Sequence, residues 1–96
     1  MMLQDALKDK VAIVTGASTG IGQAIAVAFA QAGAAVVVDY VGYAGAADAT
    51  LGKIGAVAGS RCIAVEADVS NPDAVAGLVA KTLVATVCWP PELVSR

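Results

Sequence analysis

The chain has 96 residues, enough for one small domain, of which 58% are apolar and only 15% are charged. This composition is too hydrophobic for a disordered segment. The net charge of −2, with lysines and arginines scattered along the chain, provides no basic patch for the phosphates of a nucleic acid. With two cysteines and no histidine, the chain cannot build a zinc cluster or a cysteine–histidine catalytic pair, so no metal site is expected.

The uncharged stretch from Val11 to Val38 raises the alternative of a membrane span. Polar residues and glycines interrupt this stretch throughout, and a buried strand, a glycine turn and a buried helix explain it better. The N-terminal segment lacks the basic-then-apolar layout of a secretory signal. We therefore expect a cytoplasmic protein that does not span a membrane and whose cysteines are free thiols.

The first half of the chain reads as strand, helix, strand. Lys10–Thr15 is short, rich in β-branched residues and closed by glycine, which predicts a central parallel strand covered on both faces. Gly20–Gly33 has apolar residues at helical spacing and a glycine at the C-terminal cap. Ala35–Asp39 is a second apolar strand, which completes a βαβ unit. The predicted buried face of the helix consists of Ile21, Ile25, Ala28 and Ala32.

The second half repeats the alternation less clearly. Tyr43–Gly59 predicts a weak helix because it contains three internal glycines besides its last residue. Arg61–Val69 predicts a third strand, and Asn71-Pro72-Asp73 is a helix start signal in which Asn71 caps the helix. The predicted face of the third helix consists of Val75, Leu78, Val79, Thr82 and Leu83.

This order predicts an α/β fold of the Rossmann-like type, with three α/β/α layers and a truncated parallel sheet of about three strands, in the order β-α-β-α-β-α. We expect residues 1–96 to form a single incomplete dinucleotide-binding domain, with a regular pattern over about 8–85. Residues 86–96 form an atypical tail. A fourth central strand cannot run through Pro90-Pro91, since proline donates no hydrogen bond to a sheet.

The sharpest signal is the segment Thr15–Gly22, TGASTGIG, between the first strand and the first helix. Glycines at such a turn allow a tight bend, close approach of a ligand to the backbone and close packing of helix on strand. The following helix N-terminus offers unpaired N–H groups to a pyrophosphate. The predicted pyrophosphate-binding residues are Gly16, Ser18, Thr19, Gly20, Ile21 and Gly22, with hydroxyl donors at Ser18 and Thr19.

The spacing TGxxxGIG resembles the cofactor loop of the short-chain dehydrogenase/reductase family, and the resemblance extends from about Lys8 to Lys81. Within the family the sequence is most similar to glucose 1-dehydrogenase-like and 3-oxoacyl reductase-like enzymes. The resemblance implies that Asp68 accepts a hydrogen bond from the adenine amino group and that Val69 packs on the ring. It also implies an oxidoreductase that uses NAD or NADP.

The preference between the two cofactors stays open. Asp39 stands where a Rossmann acidic residue binds the adenosine ribose and disfavours a 2′-phosphate. In many NAD-preferring family members the acidic residue is one position further on, which here is Tyr40. The arginine that often accompanies NADP has no counterpart at Val41. Asp39 and Tyr40 are both kept as candidate ribose-binding residues.

No catalytic residue can be assigned. The family uses a YxxxK pair as general acid/base, but Ala44 follows four residues after Tyr40 and Ala47 four after Tyr43. The break in pattern after about Leu83 indicates a truncated or frame-shifted product, or else a natural short form whose sheet is completed by a partner. The alternative to cofactor binding is therefore a non-catalytic interaction fragment that associates with itself through the unfinished sheet.

Overall fold

The computed structural model describes residues 6–57 and 59–88. Its elements alternate as predicted, and their bounds are β1 Val11–Val14, α1 Gly20–Gln31, β2 Ala35–Tyr40, α2 Ala44–Gly55, β3 Arg61–Glu66 and α3 Pro72–Cys88. The chain therefore has the α/β, Rossmann-like fold expected from its sequence. Helix α3 runs into the segment predicted as an atypical tail, and the remainder of that tail, from residue 89 onward, lies outside the described residues.

The three strands form one parallel sheet in the order β1-β2-β3. The central strand is β2, which pairs with β1 on one side and with β3 on the other. Within the described residues β1 pairs only with β2, and Val11 and Ile13 each remain 38% exposed. The expectation that β1 is a central strand covered on both faces is thus wrong within the described residues, because β1 ends the sheet and the cluster under α3 does not reach the face that carries Val11 and Ile13.

One face of the sheet carries α1 and α2 and holds most of the core. Val36 and Val38 of β2 are fully buried there, together with Ile54 of α2. Helix α1 contacts the sheet through Ala26 and Ala30, whose small side chains let the helix lie close to the strands. Tight packing on this side fixes the position of the loop that joins β1 to α1.

The predicted buried face of α1 is wrong at two of its four residues, Ile21 and Ile25, by about one position. Ile21 is 81% exposed and Ile25 is 41% exposed, whereas Ala26 and Ala30 are buried. Apolar spacing defines two adjacent stripes on this helix, and the smaller side chains face the sheet because they permit the closer contact. Ala32, also predicted on the face, is buried just beyond the helix end at the cap position.

In the part of the chain that the structure describes, α3 is the one helix on the opposite face of the sheet. Its core cluster is Val37, Val65, Ala67 and Leu78. Thr82 is also buried, but Val79 is 44% and Leu83 is 61% exposed, so only part of the predicted face of α3 is packed.

The start signal of α3 is confirmed. Asn71 Oδ1 accepts from the backbone N–H groups of Asp73 at 2.9 Å and Ala74 at 3.4 Å, which caps the helix. The third strand ends at Glu66 and not at Val69, so Asp68 and Val69 lie in the connection between β3 and α3.

Among the described residues, no helix is long and apolar enough to cross a membrane, and no group of side chains could hold a metal ion. Cys62 is a buried free thiol, and burial raises its pKa above the usual value. A raised pKa leaves less of the reactive thiolate, which indicates a structural residue.

Candidate dinucleotide-binding site

The loop between β1 and α1 adopts a backbone that requires glycine. Gly16 has a φ of 62° and Gly20 a φ of 60°, both in the left-handed region that other residues rarely occupy. No atom stands within 4 Å of where a Cβ would lie at either residue. The two glycines therefore serve the bend of the loop and leave its outer surface open to a ligand.

Gly22 has a different role, which is close packing. A Cβ at this position would overlap the backbone carbonyl of Gly16, so the first turn of α1 lies directly against the start of the loop. Ala17, between them, is fully buried, and its N–H donates to the carbonyl of Asp39 at 3.1 Å. The loop is thereby held to the end of β2 as well as to α1.

The N-terminus of α1 faces outward from this loop. Thr19 precedes the helix in an extended conformation, its side chain makes no capping hydrogen bond, and the first turn contains no acidic residue. The first N–H groups of a helix lack intrahelical partners and carry partial positive charge. Such a terminus binds anions, and the half-buried Ser18 and exposed Thr19 stand beside it with their hydroxyl groups.

A buried hydrogen-bond network ties this loop to α2. The Thr50 hydroxyl donates to the carbonyl of Ala17 at 2.8 Å and accepts from Gln23 Nε2 at 2.9 Å. The same amide nitrogen donates to the carbonyl of Ser18 at 3.2 Å. The sequence prediction missed Thr50, although a threonine between Ala47 and Leu51 on the buried stripe of α2 is the signal that could have found it.

Asp39 is brought to the edge of the site but is not exposed there. It is only 2% exposed, and its Oδ1 has no hydrogen-bond partner among the described residues. Burial raises the pKa of Asp39; a backbone hydrogen bond from Ala67 works against this shift and the charge of Asp68 adds to it. The next residue of β2, Tyr40, lies on the other face of the strand and packs partly into the core on the α1 and α2 side.

Asp68 and Val69 lie at the same edge in the loop that follows β3. Asp68 is exposed, and its Oδ1 accepts from the hydroxyl of Ser70 at 2.6 Å and from the backbone N–H of Ser70 at 2.9 Å. These two bonds hold the pKa of Asp68 below its usual value. Val69 is 49% exposed, and so an apolar surface stands next to the carboxylate. Contact of either residue with an adenine ring stays a prediction.

The residues singled out in the sequence thus meet along one edge. The carboxyl ends of parallel strands lie side by side, and in open α/β sheets ligands bind in the crevice outside these ends. From β1 to β3 this edge presents the glycine loop, then Asp39 and Tyr40, then Asp68 and Val69. The arrangement fits a dinucleotide. The left-handed glycines and the open helix N-terminus leave room for a pyrophosphate, and Asp39 has a buried oxygen without a partner among the described residues.

Comparison with known proteins agrees with this geometry. The family model described as short chain dehydrogenase matches residues 10–86. An uncharacterized oxidoreductase of Methylorubrum extorquens is 56% identical over 76% of this chain and 29% of its own length. A 3-oxoacyl-[acyl-carrier-protein] reductase of Synechocystis sp. is 50% identical over 81% of this chain and 31% of its own length.

Solved structures give the same result. A short chain dehydrogenase of Burkholderia cenocepacia, in complex with NADP, is 42% identical and superposes with a TM-score of 0.77 over 83% of this chain and 32% of that one. The chain spans about a third or less of the length of these relatives. On the family match, the sequence identity and the shared fold, this chain belongs to the short-chain dehydrogenase family.

Proposed function

We propose that this chain binds the adenosine and pyrophosphate part of NAD or NADP, as the cofactor-binding portion of an oxidoreductase of the short-chain dehydrogenase type. The observation that carries the proposal is the loop from Gly16 to Gly22, whose left-handed glycines and close contact with α1 leave an open helix N-terminus. Resemblance to the Burkholderia cenocepacia protein that holds NADP supports it. When bound, the nicotinamide supplies hydride-transfer chemistry.

In this proposal each part of the edge has one task. The backbone N–H groups at Gly20, Ile21 and Gly22 and the hydroxyls of Ser18 and Thr19 bind the pyrophosphate. Asp68 accepts from the adenine amino group, and Val69 packs against the ring. No Tyr-xxx-Lys pair occurs in the sequence, so we propose cofactor binding without catalysis for these 96 residues.

The proposal is tested by calorimetric titration of the chain with ADP. Gly22→Ala is expected to lower the affinity at least tenfold, because the added Cβ overlaps the carbonyl of Gly16 and must displace the loop. Gly52→Ala is the matched control: it also adds one methyl group to a helical glycine, but nothing lies within 4 Å of its position. A chain that is folded by circular dichroism yet shows no affinity for ADP contradicts the proposal.

We propose as a second candidate function that two copies of this chain associate through their β1 strands. Within the described residues the outer edge of β1 is unpaired, and Val11 and Ile13 are each 38% exposed on the adjoining face. Both observations support this idea, since parallel sheets are normally covered and unpaired edges recruit other strands. Antiparallel pairing about a two-fold axis would give hydrogen-bond partners to the backbone groups at the outer edge of β1 in both copies.

Size-exclusion chromatography with light scattering tests the association. The wild-type chain should elute as a dimer, and Ile13→Lys should convert it to a monomer, because a lysine on an edge strand opposes pairing. ADP binding should survive that change, since Ile13 lies outside the glycine loop. A wild-type chain that stays monomeric at all concentrations rejects this second function.

A further inference from the structure

Glu66 makes a contact that holds the turn between β2 and α2. It is the last residue of β3 and pairs in register with Tyr40, the last residue of β2. Its Oε2 accepts a hydrogen bond from the backbone N–H of Gly42 at 3.2 Å, and Gly42 has a φ of 91°. An exposed carboxylate therefore stands beside the turn formed by residues 41–43.

This turn lies between the two ends of the proposed nucleotide site. The pyrophosphate-binding loop follows β1, and Asp68 follows β3, while β2 is the strand between them. A ribose that joins the pyrophosphate to the adenine must cross the end of β2. The turn and the carboxylate of Glu66 consequently stand at the strand end that the ribose would cross.

No basic side chain among the described residues balances the charge of this edge. Asp39, Glu66 and Asp68 all stand at the carboxyl ends of the strands. Lys8 and Lys10 precede β1 and Arg61 begins β3, so they stand at the amino ends of the strands. Lys53, in the last turn of α2, lies on that same side. Lys81 is nine residues beyond the start of α3, about 13 Å along the helix axis.

Among the residues that the structure describes, the one positive feature near the turn is the N-terminus of α2, and its charge is weaker than that of Glu66. A helix N-terminus is equivalent to about half an elementary charge, against a full negative charge on Glu66. In addition, the ring of Tyr43 lies against Gly45 in the first turn, where a Cβ would overlap it. The ring therefore covers part of this terminus.

We propose that Glu66 is a specificity-determining residue that repels the 2′-phosphate of NADP, so that the site prefers NAD. The inference rests on the proposed function, because it concerns the same nucleotide site. It assigns the discrimination to a residue of β3, not to Asp39, which is buried and 2% exposed. A 2′-phosphate would place close to two negative charges beside Glu66, where no described side chain supplies a cation to pair them.

The experiment is a titration of the full chain with NAD⁺ and NADP⁺, which differ only in the 2′-phosphate, at low and at high salt. We expect wild type to prefer NAD⁺ by about tenfold at low salt. Glu66→Gln keeps an oxygen acceptor for the N–H of Gly42 and removes the charge. It should strengthen NADP⁺ binding about threefold and leave NAD⁺ binding unchanged.

Salt and a second variant separate a charge effect from a structural one. The wild-type preference should shrink as salt rises, since exposed charges are screened. Asp73→Asn, which removes a charge from the exposed first turn of α3, should leave the preference unchanged.

The inference is overturned if wild type binds NADP⁺ as tightly as NAD⁺, if Glu66→Gln leaves the ratio unchanged, or if Asp73→Asn changes it equally. In those outcomes the proposed function stands, because a dinucleotide still binds. Failure of both dinucleotides to bind to the folded chain rejects the proposed function and this inference together.

Discussion

The two faces of the sheet differ in how completely they are built. The face under α1 and α2 has a continuous core that includes the fully buried Val36, Val38 and Ile54. Among the described residues, the face under α3 has a core cluster of four, while Val11 and Ile13 are each 38% exposed and Leu83 is 61% exposed beside it. The glycine loop is fastened to the first face through Thr50. We therefore expect the proposed pyrophosphate-binding loop to depend more on the packing of α1 and α2 than on α3.

The largest expected effect comes from truncating the better core. Ile54→Ala should lower the free energy of unfolding by about 3 kcal/mol, because Ile54 is fully buried between α2 and the sheet. Leu78→Ala, on the α3 side, should cost about 2 kcal/mol, since the surrounding layer is thin and can relax into the space. Urea unfolding measures both values. A larger loss at Leu78 than at Ile54 would reverse the proposed order of the two faces.

The next largest loss of stability is expected from removing the Thr50 hydroxyl, which joins the glycine loop to α2. Thr50→Val should cost about 1–3 kcal/mol, because it leaves the buried carbonyl of Ala17 without its donor. Thr50→Ser keeps the hydroxyl and should retain most of both stability and ADP affinity. Denaturant unfolding and ADP titration on the two variants provide the measurement. Equal behaviour of the valine and serine variants would show that the hydrogen bond does not position the loop.

The contributions of Asp39 and Asp68 to the stability of the fold should depend on pH in opposite directions. Burial raises the pKa of Asp39 above 3.8, so its contribution to stability is complete below that pH and is lost as the pH rises through the folded-state value. Hydrogen bonds from Ser70 lower the pKa of Asp68, so its contribution is present above 3.8 and is lost as the pH falls through its lower folded-state value.

Unfolding curves from pH 3 to pH 8 test this contrast. Asp39→Asn should be more stable than wild type at neutral pH, and the gain should vanish in acid. Asp68→Asn should be less stable than wild type at neutral pH, with the difference again vanishing in acid. A stability loss for Asp39→Asn at neutral pH would mean that the charged form of this carboxylate has a partner in solution.

The smallest effect is expected on the outer side of α3. Leu83 is 61% exposed, so Leu83→Lys should change the free energy of unfolding by no more than about 0.5 kcal/mol. Val38→Thr is the contrasting substitution on the packed face. It should lower the free energy of unfolding by more than Leu83→Lys does, because a buried hydroxyl needs a hydrogen-bond partner. A substantial loss of stability for Leu83→Lys in a monomeric sample would show that α3 is covered in solution, which would weaken the contrast between the two faces.

The sequence predicted the order of elements and the glycine loop well, because both depend on local features. Strand and helix periods and the spacing of Gly16, Gly20 and Gly22 are readable along the chain. The Asn71 cap was readable for the same reason. Features that depend on contacts between residues far apart in the sequence were missed or misplaced. Periodicity gives the spacing of apolar positions on α1 but does not say that alanines, and not Ile21 and Ile25, face the sheet.

The same limit applies to the site itself. The contact between Glu66 and Gly42 joins residues 24 positions apart, and the contact between Thr50 and Ala17 joins residues 33 apart. Neither pair has a sequence signal of its own, because parallel strands and crossover helices bring together residues that no local pattern relates. Asp39 was predicted as a site residue, yet its burial and its hydrogen bond with the backbone of Ala67, just after β3, have no local signal in the sequence.

The network at Thr50 also has a consequence for affinity. Because Thr50 and Gln23 hold the carbonyls of Ala17 and Ser18, the loop loses conformational freedom when α2 packs and not when a nucleotide arrives. A preorganised loop binds more tightly, since ordering it no longer opposes binding. Substitutions that loosen α2 far from any ligand should therefore weaken nucleotide binding in proportion to the freedom that they restore to the loop.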